Sequence, residues 1–218
     1  MSELEETAKA TQEVAKTTNT AIDATRDFGN YMSKFFTRPL EQVSELITDK
    51  LKYYTWSNKV NLMQKAQGKM DKLGFSVQHT IPLKLGIPLL EVASLEEDDR
   101  LQELWANLLV NSSTRFSLER SYISVLEQLS AVEAEILLKI YDDISDSIED
   151  DDFRFIINPE DIFIDLSASN ISKLNFNLAL SNLKRLDCIG HVIHLSGEKY
   201  HTTLFGKFLF EAVKEPTK

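Results

Sequence analysis

The sequence predicts a mainly α protein: long N-terminal helices and a helical middle region, then a C-terminal module carrying one small β-hairpin. Three observations predict this. Apolar and small residues from Leu4 to Phe36 recur in unbroken steps of four and three, the spacing of one helix face. Seven glycines and five prolines in 218 residues are too few for a sandwich that turns every ~8–12 residues. A hairpin signal occurs at Ser196-Gly197-Glu198, between His191–Leu195 and Lys199–Thr203. We divide the chain into a helical region, 1–127, and a module at 128–218.

Composition narrows the class. Hydrophobic residues at 43% are enough for a packed core. The one cysteine, Cys188, excludes an internal disulfide and fits a reducing compartment. No window approaches the ~20 apolar residues of a membrane span, and the polar start MSELEETAKA shows no secretory signal. A cytoplasmic location is expected. The net charge of −10 is uneven: residues 128–166 carry −10 and residues 167–218 carry +3. The run Asp142–Asp152, DDISDSIEDDD, repels phosphate within about 8 Å and reads as a solvated acidic loop.

Taken in order, residues 3–36 form the first helix. Its early face is Ala and Thr and its late face aromatic. Ala15, Ile22, Phe28, Met32, Phe35 and Phe36 are the candidate self-association or membrane face. Small residues bury little area, so this helix needs a partner surface. Packing or self-association is favoured. Peripheral contact with the inner face of a membrane is the alternative. Pro39 opens a second helix, through residue 73, that buries Val60, Met63 and Met70 and stops at Gly74.

The helical middle segment covers 81–127. Pro82 and Pro88 interrupt its entry, a short helix covers Pro88 to Ser94, and Glu96–Asp99 precede the next helix. Those acids suit a helix N-terminus, with Arg100 pairing one of them. That helix packs Leu101, Leu104, Trp105, Leu108 and Leu109 and ends at Asn111-Ser112-Ser113. The blocks PLLEVASLEEDDRLQELWANLL (88–109) and YISVLEQLSAVEAEIL (122–137), with DKLKYYTW and QEVAKTT upstream, resemble the abortive-infection alpha (Abi-alpha) family of bacteria. The resemblance extends into the C-terminal module. It implies a role in defence against phage and carries no catalytic residues.

In the module, Ser130 and Glu133 form a capping box for a helix through Ile144. Phe153, Phe155 and Ile157 suggest a short strand, and Pro159 opens a short helix. Ser169 or Asn170 caps a helix through Leu174, Leu178, Leu180, Leu183 and Leu186. Hairpin strands follow, then a helix over Leu204–Val213 with Phe205, Phe208, Leu209 and Val213 apolar. The order resembles a winged helix-turn-helix module. In DNA-binding members of that fold the helix before the hairpin enters the major groove. Asn170, Lys173, Asn177, Lys184, Arg185 and Lys199 are therefore the candidate nucleic-acid or partner contacts. The positive charge is modest beside the acidic run, so a protein contact is favoured over DNA.

No phosphate loop, HExxH, GxSxG or dinucleotide fingerprint is present. His191 and His194, three apart on a strand, face opposite ways, and His201 sits across the hairpin from one of them. Cys188 reads as a small buried hydrophobe. No catalytic residue, cofactor or metal is expected. The expected protein is a non-catalytic abortive-infection component whose partner is another copy or a neighbouring-gene product. The alternatives are a winged-helix DNA-binding regulator and a membrane-active effector using the N-terminal helix.

Overall fold

The structure is a computed structural model that describes residues 34–36, 53–145, 155–166, 171–194 and 197–217. These residues form eight helices and one small antiparallel sheet near the C-terminus, as the mainly α reading expects. The acidic run beyond Ser145 and most of the first expected helix lie outside the described residues.

Helix α1, Tyr53–Leu73, is the described part of the second expected helix. It buries Val60, Leu62, Met63, Ala66 and Met70. Its stop is at Gly74, with φ +68°. Phe75 N donates to Met70 O at 2.9 Å and Gly74 N to Asp71 O at 3.2 Å. These two bonds satisfy carbonyls that a helix end otherwise leaves unpaired. Lys59, within α1, is 2% exposed. Burial pushes its ammonium below lysine's ordinary pKa, and the Glu91 carboxylate only partly offsets this.

Residues 34–36 are tied to the entry of the middle segment. Phe36 forms a parallel bridge with Ile81, and Ile81 N donates to Phe35 O at 2.8 Å. Helix α2, Leu83–Ala93, begins after Pro82 and continues through Pro88. This corrects the expectation that Pro88 starts a new helix. Proline forfeits one helical hydrogen bond, while Gly86, Leu89, Leu90 and Ala93 are buried on the same helix.

Helix α3 spans Asp99–Thr114, with Asp98 as its N-cap. The Asp98 carboxylate accepts from Arg100 N at 2.9 Å and Leu101 N at 3.4 Å. Arg100 also pairs with it at 3.2 Å, as the acidic entry predicts. Hydrogen bonding from the Arg100 side chain holds the Asp98 carboxyl below its ordinary pKa. Asn111, Ser112 and Ser113 do not end the helix; they are buried inside it. The reason lies in α8, Leu204–Val213, which packs on α3. Asn107 Nδ2 donates to Val213 O at 2.9 Å. Asn111 Nδ2 donates to Ala212 O at 3.1 Å, Lys214 O at 3.0 Å and Glu211 O at 3.4 Å. Two amides one turn apart on α3 thus supply donors to the carbonyls at the end of α8, which have no partner within that helix.

Helix α4, Arg120–Leu126, leads to α5, Ala131–Ser145. The capping box is present: Ser130 N donates to Glu133 Oε2 at 2.6 Å, and Glu133 N to Ser130 Oγ at 3.3 Å. Strand β1, Ile156–Ile157, is followed by α6, Pro159–Asp165, and α7, Lys173–Arg185. The N-cap of α7 is Ser172, whose Oγ accepts from Asn175 N at 3.1 Å, rather than Ser169 or Asn170. Strands β2, Ile189–His194, and β3, Gly197–Thr202, pair antiparallel, and β3 also pairs β1, giving the order β1-β3-β2. His201 stands opposite Gly190 and not opposite a histidine.

The C-terminal elements meet at Tyr141 of α5. Its buried hydroxyl donates to Cys188 O at 2.6 Å and accepts from Thr203 N at 3.0 Å. Burial pushes its pKa up to about 12. Thr203 Oγ1 caps α8 by accepting from Gly206 N at 2.9 Å. A Cβ at Gly206 would collide with the Cys188 carbonyl oxygen and the Tyr141 hydroxyl, so the approach of α8 to this node requires glycine. The core is one hydrophobic cluster running from Phe35 to Val213.

Candidate functional site: a cation-bearing cleft on α7

The burial pattern of α7 separates structural from available side chains. Phe176, Ala179, Leu180 and Leu183 are buried, and α7 packs on α5 and β2. Lys173, Asn177, Ser181 and Lys184 recur at helical spacing on the opposite side, and all four are exposed. They form one wall of a cleft of about 570 Å³. The β1–α6 junction supplies Asn158, Pro159 and Glu160, and β3 supplies Lys199 and Tyr200. The sheet brings the last two walls together, because Ile157 pairs with Tyr200.

Charge in the cleft is unevenly compensated. Lys173 Nζ donates to both Glu160 oxygens, at 2.7 and 2.6 Å. It also lies 4.4 Å over the centre of the Phe163 ring, a favourable place for a cation. Among the described residues no carboxylate pairs with Lys184 or Lys199. Tyr200 packs its ring against His191, with centroids 5.7 Å apart. A second cavity, of about 460 Å³, lies against α3, α5 and α8, but its Arg100, Lys139 and Lys214 are paired to Asp98, Asp165 and Glu211.

Four of the six expected contact residues, Lys173, Asn177, Lys184 and Lys199, therefore line one cleft. Arg185 turns elsewhere: its Nε donates to Asn182 Oδ1 at 2.9 Å and Nη2 to Gln128 Oε1 at 3.1 Å. Asn170 lies outside the described residues. So do Ala15, Ile22, Phe28 and Met32. Phe35 and Phe36, expected on an outward face, are 0% and 3% exposed. The chain's own core takes up both rings through the strand-like contact with Ile81. Asn158, Glu160, Ser181 and Tyr200 were not anticipated. Only Ser181 had a local signal, two turns beyond Lys173 on the same face. The others arrive through sheet pairing.

Beside the cleft α7 presents an apolar strip. Leu174 and Leu178, two of the leucines through which this helix was expected to run, are 69% and 60% exposed. The helix register turns Phe176, Ala179 and Leu180 inward instead. Cys188 is fully buried, and burial pushes its thiol up to about 12, so the thiolate that nucleophilic chemistry needs is suppressed. Among the described residues no three of His, Cys, Asp and Glu gather to hold a metal ion. No described helix is long and apolar enough to cross a membrane.

A family model, abortive infection alpha, matches residues 57–213, from within α1 to the end of α8. No curated protein and no solved structure matches the chain.

Proposed function

The chain belongs to the abortive infection alpha family, and from that premise we propose that it serves an abortive-infection-type defence as a non-catalytic binding protein. In this proposal the segment from α5 to α8 is a winged-helix-like docking module. Its α7 helix contacts a protein, either another copy or the product of a neighbouring gene. The observation that carries the proposal is the pair Leu174 and Leu178, exposed one turn apart on α7. Large apolar side chains left in water on one helix face favour a protein partner that covers them. A helix that reads DNA needs hydrogen-bonding side chains there. A cytoplasmic site of action is part of the same proposal.

The test is phage challenge of cells carrying the gene with its native neighbours, at low and high phage-to-cell ratios. Wild type should protect at low ratio and collapse early at high ratio. The double change Leu174→Asp and Leu178→Asp, with its melting temperature unchanged, should abolish both effects. Full protection by that variant would refute α7 docking. Absence of protection by wild type against a broad phage panel would refute the role. Duplex binding by the purified protein that weakens steeply with salt would favour DNA over a protein partner.

A further inference from the structure

We propose that the cleft between α7, the β1–α6 junction and β3 binds a small phosphate-bearing ligand of nucleotide size. This inference rests on the cleft alone and stands whether or not α7 docks a protein.

The first argument is charge. The chain carries −10, yet this cleft collects three lysines against one glutamate. Glu160 is committed to Lys173 through both oxygens. That leaves Lys184 and Lys199, from two different elements, lining one cleft with no carboxylate partner among the described residues. An anion bound between lysines from two elements gains charge-assisted hydrogen bonds from each.

The second argument concerns which anion. Arginine's planar fork matches carboxylate and phosphate alike, while lysine is a point charge that serves phosphate oxygens without demanding a bidentate partner. The one arginine of α7, Arg185, is held by Asn182 and Gln128, outside the cleft lining. The cations available are lysines only.

The third argument is size and polarity. A volume of about 570 Å³ lies within the ~300–1,000 Å³ typical of small-molecule sites. Asn177 and Ser181 place an amide and a hydroxyl along the wall, suited to a hydrogen-bonding body such as a sugar or a base edge. A duplex fits poorly, since Leu174 and Leu178 stand exposed on the same helix.

Calorimetric titration of the full chain tests this. The probes are the four ribonucleoside 5′-monophosphates, their unphosphorylated nucleosides, inorganic phosphate, succinate and a short DNA duplex. We expect at least one monophosphate to bind with Kd below about 1 mM, at least roughly tenfold tighter than its nucleoside, succinate or phosphate. Combining Lys184→Gln with Lys199→Gln should weaken that binding by roughly tenfold or more, with no change in melting temperature. Asn177→Ala, which keeps both charges, should weaken the monophosphate but not inorganic phosphate. Three results would overturn the proposal: no monophosphate binds, phosphate binds as tightly as every monophosphate, or the double variant binds as wild type does. Tight duplex binding without monophosphate binding would also overturn it, in favour of nucleic acid.

Discussion

Replacing Asn111 by Asp tests whether two amides hold α8 in place. The change keeps volume and shape and converts a donor into an acceptor. In the native protein Asn111 is fully buried, and its Nδ2 serves the carbonyls of Glu211, Ala212 and Lys214. The introduced carboxylate would face those same oxygens. Leaving buried acceptors unpaired costs about 1–3 kcal/mol, and an uncompensated buried charge about 3–5 kcal/mol. At about 2–4 °C per kcal/mol for a chain of this length, Asn111→Asp should lower Tm by about 6–20 °C at pH 7. Burial and the facing carbonyls raise the introduced carboxyl above its unfolded pKa of about 3.9. The penalty is therefore full above the folded pKa and shrinks as pH falls through it. Asn111→Leu removes the donor without adding charge and should cost less, about 1–3 kcal/mol. Thermal melts at pH 7 and pH 5, followed by circular dichroism, read both effects. An Asn111→Asp melt within about 2 °C of wild type, or a deficit that grows on acidification, would refute the reasoning.

Tyr141→Phe leaves the Thr203 N–H and the Cys188 carbonyl short of a partner at a buried node and should cost about 1–3 kcal/mol; an unchanged denaturant midpoint would count against this. Gly206→Ala drives a Cβ into the Cys188 carbonyl and should destabilise more than Tyr141→Phe does, measured the same way. Lys59→Met removes a buried ammonium and should raise Tm. Because the folded pKa of Lys59 is lowered, the variant's advantage should be full below that folded pKa and narrow as pH rises through it; a lower Tm for the variant would show that the ammonium is held by a partner. Burial tends to raise the Glu103 pKa, but hydrogen bonds from Lys69 and Lys65 hold it below its ordinary value. Its contribution is present above its unfolded pKa of about 4.3 and is lost as pH falls through the lower folded value. Glu103→Gln should therefore flatten the acid limb of a stability-versus-pH curve, and identical acid limbs would refute it.

Local chemistry made much of the fold legible. Gly74 as a helix stop, Asp98 and Ser130–Glu133 as caps, and the helix over Leu204–Val213 follow from rules acting within one or two turns. Interactions between distant segments were not legible. Asn111 looks like a helix end because polar residues favour termini, yet its partners lie about a hundred positions away. Leu174 and Leu178 look like core because period alone does not say which of two apolar strips is covered; Phe176 and Ala179 took that place. The helical spacing of Lys173, Asn177 and Lys184 was readable. Their meeting with Lys199, Asn158 and Glu160 depends on β1 pairing with β3, which a two-residue strand scarcely announces.

The amide pair on α3 also bears on the order of folding. During synthesis α3 emerges roughly a hundred residues before the carbonyls it serves. Until α8 arrives, Asn107 and Asn111 lack the carbonyls they serve in the native protein. Joining α3 to α8 closes a long loop, and several bonds made together oppose the entropy of that closure. Loss of α8 would reopen α3 to solvent, so α3 and α8 should unfold as one cooperative unit and not in sequence.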